Sequence, residues 1–459
     1  MKNTIIIIGG GISGLSVLHF LKKKYSGRDV DIILLEKNDE VGGTIRSQMG
    51  DHALFETGPN GFLASEPATF EVIRDLGIEG ELIEASPSAQ KRFLFLHGLL
   101  HEIPMGLVEL WHFKPMRLRE KFRLFKEFFI LGKVDDLETV HDFATRRFGA
   151  KAAQLFFDPF VKGIFARDSK ALNFKDCFPK LFELEMVHGS IIRGMRKKKK
   201  DVKQSMGINP RQLMSFKKGM GELVKVMGSR YRNHIKSFAE ALDIRREGNS
   251  YKVQTIKGMY DAQEIFLCAP AFAASNILRN LNPNMAQALQ KISYAPCAVV
   301  GLIYNKSSFK TLPQGFGYLT PSTEGKAVLG VLIENNIFEG RSTSEQLMLR
   351  IMIGGAHHPD IIQKSTQEIV AIAKEEIFST FAVTESPLRG FISVWPKAIP
   401  QYTTEYVELK QTIINEIRNT PQVHLVSNYL GGVSFNDCIR NAQKTVAESE
   451  FAFSGSQLS

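Results

Sequence analysis

A short apolar run that breaks into glycines constrains this chain more than any other feature. Thr4-Ile5-Ile6-Ile7-Ile8 offers apolar side chains to both faces, which predicts a buried parallel strand. It passes directly into Gly9-Gly10-Gly11-Ile12-Ser13-Gly14, a G-x-G-x-x-G pattern, after which Leu15, Leu18, His19 and Leu21 recur at helical spacing. A second apolar strand, Asp31 to Leu35, ends in Glu36, 22 residues beyond the last glycine. Such a strand, glycine turn, helix, strand and acid are the parts of a dinucleotide site. Gly9 permits the turn, Gly11 admits a pyrophosphate to the backbone, and Gly14 lets helix and strand pack closely. The N–H groups of the first turn, from Ile12 and Ser13 onward, face the phosphates, and Glu36 accepts from ribose hydroxyls. An acid at this place argues against a 2′-phosphate and hence against NADP. The pattern alone would also suit a bare glycine turn in a βαβ unit; its strand, helix and acid give it weight.

The next block separates FAD from NAD. Glu36-Lys37 is followed by Val41-Gly42-Gly43-Thr44-Ile45-Arg46-Ser47, which resembles the second signature of the flavin amine-oxidase superfamily. There the paired glycines continue the cradle and the arginine neutralises the pyrophosphate. Further on come Phe55-Glu56-Thr57-Gly58-Pro59-Asn60-Gly61-Phe62 and Gln90-Lys91-Arg92-Phe93-Leu94-Phe95. At the far end stand Trp395-Pro396-Lys397-Ala398-Ile399-Pro400-Gln401-Tyr402 and Asn428-Tyr429-Leu430-Gly431-Gly432-Val433-Ser434-Phe435-Asn436-Asp437-Cys438-Ile439. In this order the blocks resemble the FAD-dependent, oxygen-using protoporphyrinogen oxidases and their bacterial coproporphyrinogen oxidase relatives, over nearly the whole chain.

That resemblance implies an α/β fold with a discontinuous Rossmann-like FAD-binding domain over 1–85, 206–275 and 400–459. It implies an inserted mixed-sheet substrate-binding domain over 86–100 and 276–399, and a helical, membrane-associating subdomain over 101–205. Noncovalent FAD would be held by the residues above and by Gly58, Pro59, Asn60, Ile235 beside the adenine, Trp395, Gly432, Val433 and Ser434. A helix from about Ser434 to Glu448, capped by Ser434 or Asn436, would aim its N-terminus at the pyrimidine end of the flavin. Arg92 would hold a substrate propionate, with Phe316, Gly317, Leu319 and Val331 against the macrocycle. Three two-electron oxidations of a porphyrinogen, each returned through FAD to dioxygen as hydrogen peroxide, would follow. Protoporphyrinogen IX is the expected substrate and coproporphyrinogen III the alternative; an amine oxidase, a carotenoid desaturase or a flavin-binding scaffold without turnover stand further off. No residue is assigned as acid or base. The chain departs from the family at Thr403-Thr404-Glu405-Tyr406, where Gly-His is common, and at Gly61, where serine is common.

Composition narrows the remaining choices. Lys and Arg exceed Asp and Glu by 58 to 48, and 33 Phe stand against 2 Trp and 10 Tyr. That balance suits an apolar anionic ligand or an anionic surface; nucleic acid is excluded as a reading, because no binding module accompanies the charge. Four scattered cysteines form no C-x-x-C pair, so neither a metal site nor a disulfide framework is expected and the compartment is reducing. The glycines interrupt the N-terminal apolar run, so the expectation is no signal peptide and no transmembrane span. The chain is then cytoplasmic, or peripheral on the cytoplasmic face of the inner membrane, with a homodimer left open. From His112 to Lys133, Leu118, Phe122, Phe125 and Phe129 recur at three- and four-residue steps with Lys and Arg opposite. The spacing predicts one basic amphipathic helix, either core-facing or lying on a membrane surface. Arg193 to Lys203, with four successive lysines, reads as a solvated loop, with attraction to anionic lipid as the functional alternative.

Overall fold

The computed structural model describes residues 3–50, 52–130, 135–195 and 209–451. The first strand, Thr4–Ile8, is the centre of a five-stranded parallel sheet. Asp31–Leu35 and then Ile235–Lys236 lie on one side, Glu264–Leu267 and then Val423–Leu425 on the other. The period of two in the strand explains its all-apolar sequence. Ile5 and Ile7 pack with the helix Ile12–Lys24 and the C-terminal helix Phe435–Glu448. Ile6 and Ile8 pack on the other face with Ile244, Tyr251 and Val253.

Those three residues belong to an antiparallel meander, Ala241–Glu247, Ser250–Thr255 and Gly258–Ala262. Sequence patterning shows only its middle strand. The strand Glu264–Leu267 is buried at every position, because it runs between two neighbours of the parallel sheet.

A second, mixed sheet has seven strands in the order Arg389–Pro400, Tyr294–Asn305, Gln346–Gly354, Val328–Ile333, Gly317–Leu319, Phe93–Leu96 and Leu99–Glu102. Only the pairing of Gly317–Leu319 with Phe93–Leu96 is parallel. One face lies under the helix Thr366–Phe381, through Ile369, Ala373 and Ile377. The other meets Phe55 and Ala166.

The single amphipathic helix expected over His112–Lys133 does not form over its described part, 112–130; residues 131–133 lie outside the described residues. Helices Leu107–His112 and Leu118–Phe125 and a 3₁₀ turn at Lys126–Phe129 take its place. Pro115 falls between the helices, where it lacks an amide hydrogen and disfavours helical φ/ψ in the residue before it. The chain there dives inward, burying Phe113 and Met116. The aromatic stripe faces outward: Phe122 is 58% exposed and Phe129 86%. Arg196 to Lys203 of the lysine run, and the tail from 452, lie outside the described residues. Among the described residues no helix is long and apolar enough to cross a membrane.

Candidate functional site

The three glycines of the first turn have distinct geometries. Gly9 has φ +105°, in the region that favours glycine. A Cβ on Gly14 would stand 1.9 Å from the Gly9 carbonyl oxygen, so helix and turn touch there through backbone alone. A Cβ on Gly11 would meet no atom within 4 Å, which leaves the approach to the turn open. The helix Ile12–Lys24 starts at Gly11 with no side-chain cap, so its first N–H groups are available to an anion.

Glu36 is buried at the end of the second strand. Its Oε2 accepts from the Gly10 amide at 2.7 Å, and its Oε1 accepts from the Asn38 amide at 2.9 Å and the Asn38 Nδ2 at 2.8 Å. Oε2 retains an acceptor site for a hydroxyl. Lys37 beside it is exposed, and Ile235 pairs with Leu34 one strand over.

The second glycine pair folds back onto the first. The Gly42 amide donates to the Gly10 carbonyl at 2.7 Å, and Gly11 and Gly42 form a parallel bridge. Gly43, Thr44 and Arg46 are exposed along this loop. Arg46 pairs with no carboxylate among the described residues. A Cβ on Gly58 would lie 2.2 Å from the Thr44 carbonyl, so Gly58-Pro59-Asn60 continues the same wall. Trp395 closes it, donating Nε1–H to the Thr57 carbonyl at 2.9 Å. The Nδ2 of Asn60 is buried with no protein partner. An open glycine cradle and an orphaned amide donor beside it fit a dinucleotide with a ring system at its far end.

The C-terminal block reaches the same place. Gly431 and Gly432 both take positive φ, at +81° and +121°. Ser434 caps the helix Phe435–Glu448, accepting from the Asp437 amide while Asp437 bonds back. Asn436 does not cap; its side chain accepts from Thr69 and donates to the Leu63 carbonyl. This helix packs along the one that begins at Gly11. Burial pushes the pKa of the Cys438 thiol up to about 11. The Gly432 amide donates to the Tyr402 hydroxyl at 3.3 Å, and burial raises the Tyr402 pKa well above the ordinary value, so that hydroxyl stays protonated. Val433 follows, half-buried.

The mixed sheet divides the remaining candidates. The Arg92 guanidinium lies 5.0 Å over the Phe316 ring and pairs with no carboxylate among the described residues. Desolvation lowers its pKa from the ordinary value. Gly317, at φ +134°, lets the Gly317–Leu319 strand leave Phe316 against its neighbour: a Cβ there would strike the Val331 carbonyl at 2.0 Å. Leu319 packs with Leu94 and lies against Gly163.

Val331 does not join them. It is fully buried beneath the helix Thr366–Phe381, and its register partner Ile351 shares that face. The neighbouring register pairs, Leu332 with Arg350 and Gly330 with Met352, belong to the opposite face. That opposite face carries Met352 and Phe391 toward Phe55, with Phe391 stacked on Phe55 at 5.4 Å. It also carries Arg350, which donates to the Gly58 carbonyl. Sequence reasoning missed these three residues. The one available signal was a lone arginine within the apolar strand Gln346–Gly354.

Residues 12–448 match the family described as flavin containing amine oxidoreductase. Protoporphyrinogen oxidase 1, chloroplastic, of Arabidopsis thaliana is 30% identical over 96% of this chain and 87% of its own. Protoporphyrinogen oxidase of Bos taurus is 29% identical over 97% and 98%. Among solved structures, an Exiguobacterium sp. 255-15 chain provisionally assigned as a protoporphyrinogen oxidase superposes with a TM-score of 0.81 at 19% identity, covering 97% and 98%. Reduced UDP-galactopyranose mutase superposes at 0.71 with 12% identity, covering 97% and 93%.

Proposed function

Because this chain belongs to the flavin containing amine oxidoreductases, and is an FAD-dependent oxidoreductase, we propose that it oxidises a porphyrinogen, protoporphyrinogen IX, to the porphyrin in the penultimate step of haem biosynthesis. The observation that carries this reading is the likeness to protoporphyrinogen oxidases along 96–97% of the chain. Arg92 gives it a chemistry: an arginine stacked on an aromatic ring with no carboxylate of its own suits a macrocycle whose anionic groups are side-chain acids.

Bound FAD supplies two-electron oxidation of the substrate carbon and reoxidation by dioxygen, and three rounds remove six electrons as three hydrogen peroxide molecules. The protein's share is binding, orientation and exclusion of water. Gly9 to Gly14 and Gly42-Gly43 hold the diphosphate, Arg46 balances its charge, and Glu36 fixes the ribose. The helix that Ser434 caps would turn the N–H groups its capping box leaves over, those of Phe435 and Asn436, toward the flavin ring, where negative charge grows on reduction. Arg92 and Phe316 anchor the porphyrinogen, and Met352, Phe391 and Leu319 keep water away. The three-part division of the chain into FAD-binding, substrate-binding and helical regions belongs to this reading.

The outward face of the helical region supports a peripheral membrane contact. Trp111, Phe122, Phe125 and Phe129 are exposed beside Arg117, Arg119 and Lys126, the composition of an interfacial anchor on anionic lipid.

Anaerobic mixing of the yellow holoprotein with protoporphyrinogen IX and, separately, coproporphyrinogen III tests the assignment. Rapid flavin bleaching by protoporphyrinogen is expected. Faster bleaching by coproporphyrinogen would move the substrate to the four-propionate ring, and no bleaching by either would remove the function and leave the FAD fold.

A further inference from the structure

Four buried charges gather where the mixed sheet meets the Phe55–Asn60 segment. Arg341 is 0% exposed, Arg350 4%, and Glu56 and Glu334 1% each. The ion pairs are loose: Arg341 to Glu56 is 3.9 Å and Arg350 to Glu334 is 3.8 Å. At that range the carboxylates neutralise the arginines without taking their hydrogen bonds. Only one nitrogen of each arginine finds a side-chain or carbonyl acceptor, while Arg341 Nε and Nη1 and Arg350 Nε are buried with no protein partner among the described residues. Arg350 donates to the Gly58 carbonyl. Arg341 donates to the Ser215 hydroxyl at 2.8 Å, which donates in turn to the Asn60 carbonyl at 2.9 Å. The two carbonyls that flank Pro59 are therefore both held by buried cations, one directly by Arg350 of the mixed sheet and one through a relay from Arg341 in the loop before that strand.

Burying two arginines costs several kcal/mol per ion before pairing, and apolar side chains would join the mixed sheet to this segment at least as well. What an apolar contact cannot do is orient a peptide plane. Pro59 has no N–H, so this segment has little backbone bonding of its own to fix its twist. At its end the Asn60 Nδ2 is buried and unpartnered, which makes its direction consequential.

We propose that Arg350, supported by Arg341 through Ser215, is a positioning residue that locks Gly58-Pro59-Asn60 and so holds the Asn60 amide against the flavin. The proposal rests on FAD occupying the cradle and is independent of the substrate's identity. Its test uses Arg350→Met, Arg350→Lys and Ser215→Ala as FAD-loaded proteins. The readouts are the visible flavin spectrum and the two-electron midpoint potential, measured anaerobically beside thermal unfolding. Arg350→Met is expected to alter the spectrum and shift the oxidised-to-reduced equilibrium about tenfold, or about 30 mV for a two-electron couple. Arg350→Lys, which keeps a donor, is expected to restore most of both, and Ser215→Ala to give a smaller shift of the same sign. Wild-type spectra and potentials in Arg350→Met and Ser215→Ala would overturn the proposal, whatever the change in unfolding temperature. So would an Arg350→Lys protein shifted as far as Arg350→Met. Should Arg350→Met fail to fold, Ser215→Ala decides: a wild-type potential there overturns the proposal. A wild-type enzyme that turns over no porphyrinogen would refute the substrate reading and leave this measurement intact.

Discussion

Replacing Gly14 with alanine tests the cradle through a single atom. The new Cβ would stand 1.9 Å from the Gly9 carbonyl oxygen, and real Cβ contacts stay beyond 3.0 Å, so the turn must retreat by about 1.1 Å. It cannot retreat freely. Gly9 is held at φ +105°, its amide bonds the Leu35 carbonyl at 2.8 Å, and Cβ space at Gly9 is closed by Cys268 and Ala269. Shifting the turn pulls the first N–H groups of the Ile12–Lys24 helix away from the diphosphate. A hydrogen bond to a charged group contributes about 1.5–3 kcal/mol, so one lost contact weakens FAD binding about 10- to 150-fold. Fluorescence titration of the flavin-free protein with FAD measures this directly. Gly80→Ala is the control, since a Cβ there meets nothing within 4 Å. A Gly14→Ala protein that binds FAD as tightly as the Gly80→Ala protein would refute the reasoning.

Three further perturbations separate the other elements. Arg92→Ala should raise the porphyrinogen KM by about tenfold or more while leaving FAD affinity unchanged, with Arg92→Lys between, because only the arginine offers a two-pronged carboxylate contact; an unchanged KM would remove Arg92 from the substrate site. His19 is buried against Tyr231 and Asp75, and desolvation lowers its pKa below the ordinary 6.5. A histidine kept neutral by folding binds more protons when unfolded, so stability should fall as pH drops through 6.5, and His19→Gln should flatten the urea midpoint between pH 7.5 and pH 5 relative to wild type. Phe122→Glu with Phe125→Glu should abolish co-sedimentation with anionic vesicles without altering flavin content; retained sedimentation would return that stripe to an ordinary surface.

How much of this was legible beforehand depends on the range of the interactions. The Gly9–Gly14 turn and the Ser434 cap are local motifs, in which each residue acts through its own backbone conformation or that of residues a few places away, and Glu36 and Gly42-Gly43, which reach Gly10 from outside the turn, follow it at the distance a strand–helix–strand unit fixes. Their spacing therefore shows in the sequence. The helix over 112–133 failed because periodicity was read through Pro115, a local breaker that the apolar repeat disguised. The meander strands Ala241–Glu247 and Gly258–Ala262 went unseen because their partners, rather than their composition, define them.

By itself the sequence determined the glycine turn and the α/β class, because glycine geometry and strand periodicity are short-range physics, while the family came from the resemblance of its motif blocks. Only the tertiary structure decided which face of the mixed sheet meets the cradle. A one-residue change of register exchanges the two faces of a strand, and Val331 and Arg350 each sit in an apolar strand whose sequence does not announce its direction. Pairing across the sheet sends Val331 beneath a helix and Arg350 to the Gly58 carbonyl, nearly three hundred residues away in the chain and in hydrogen-bond contact in space.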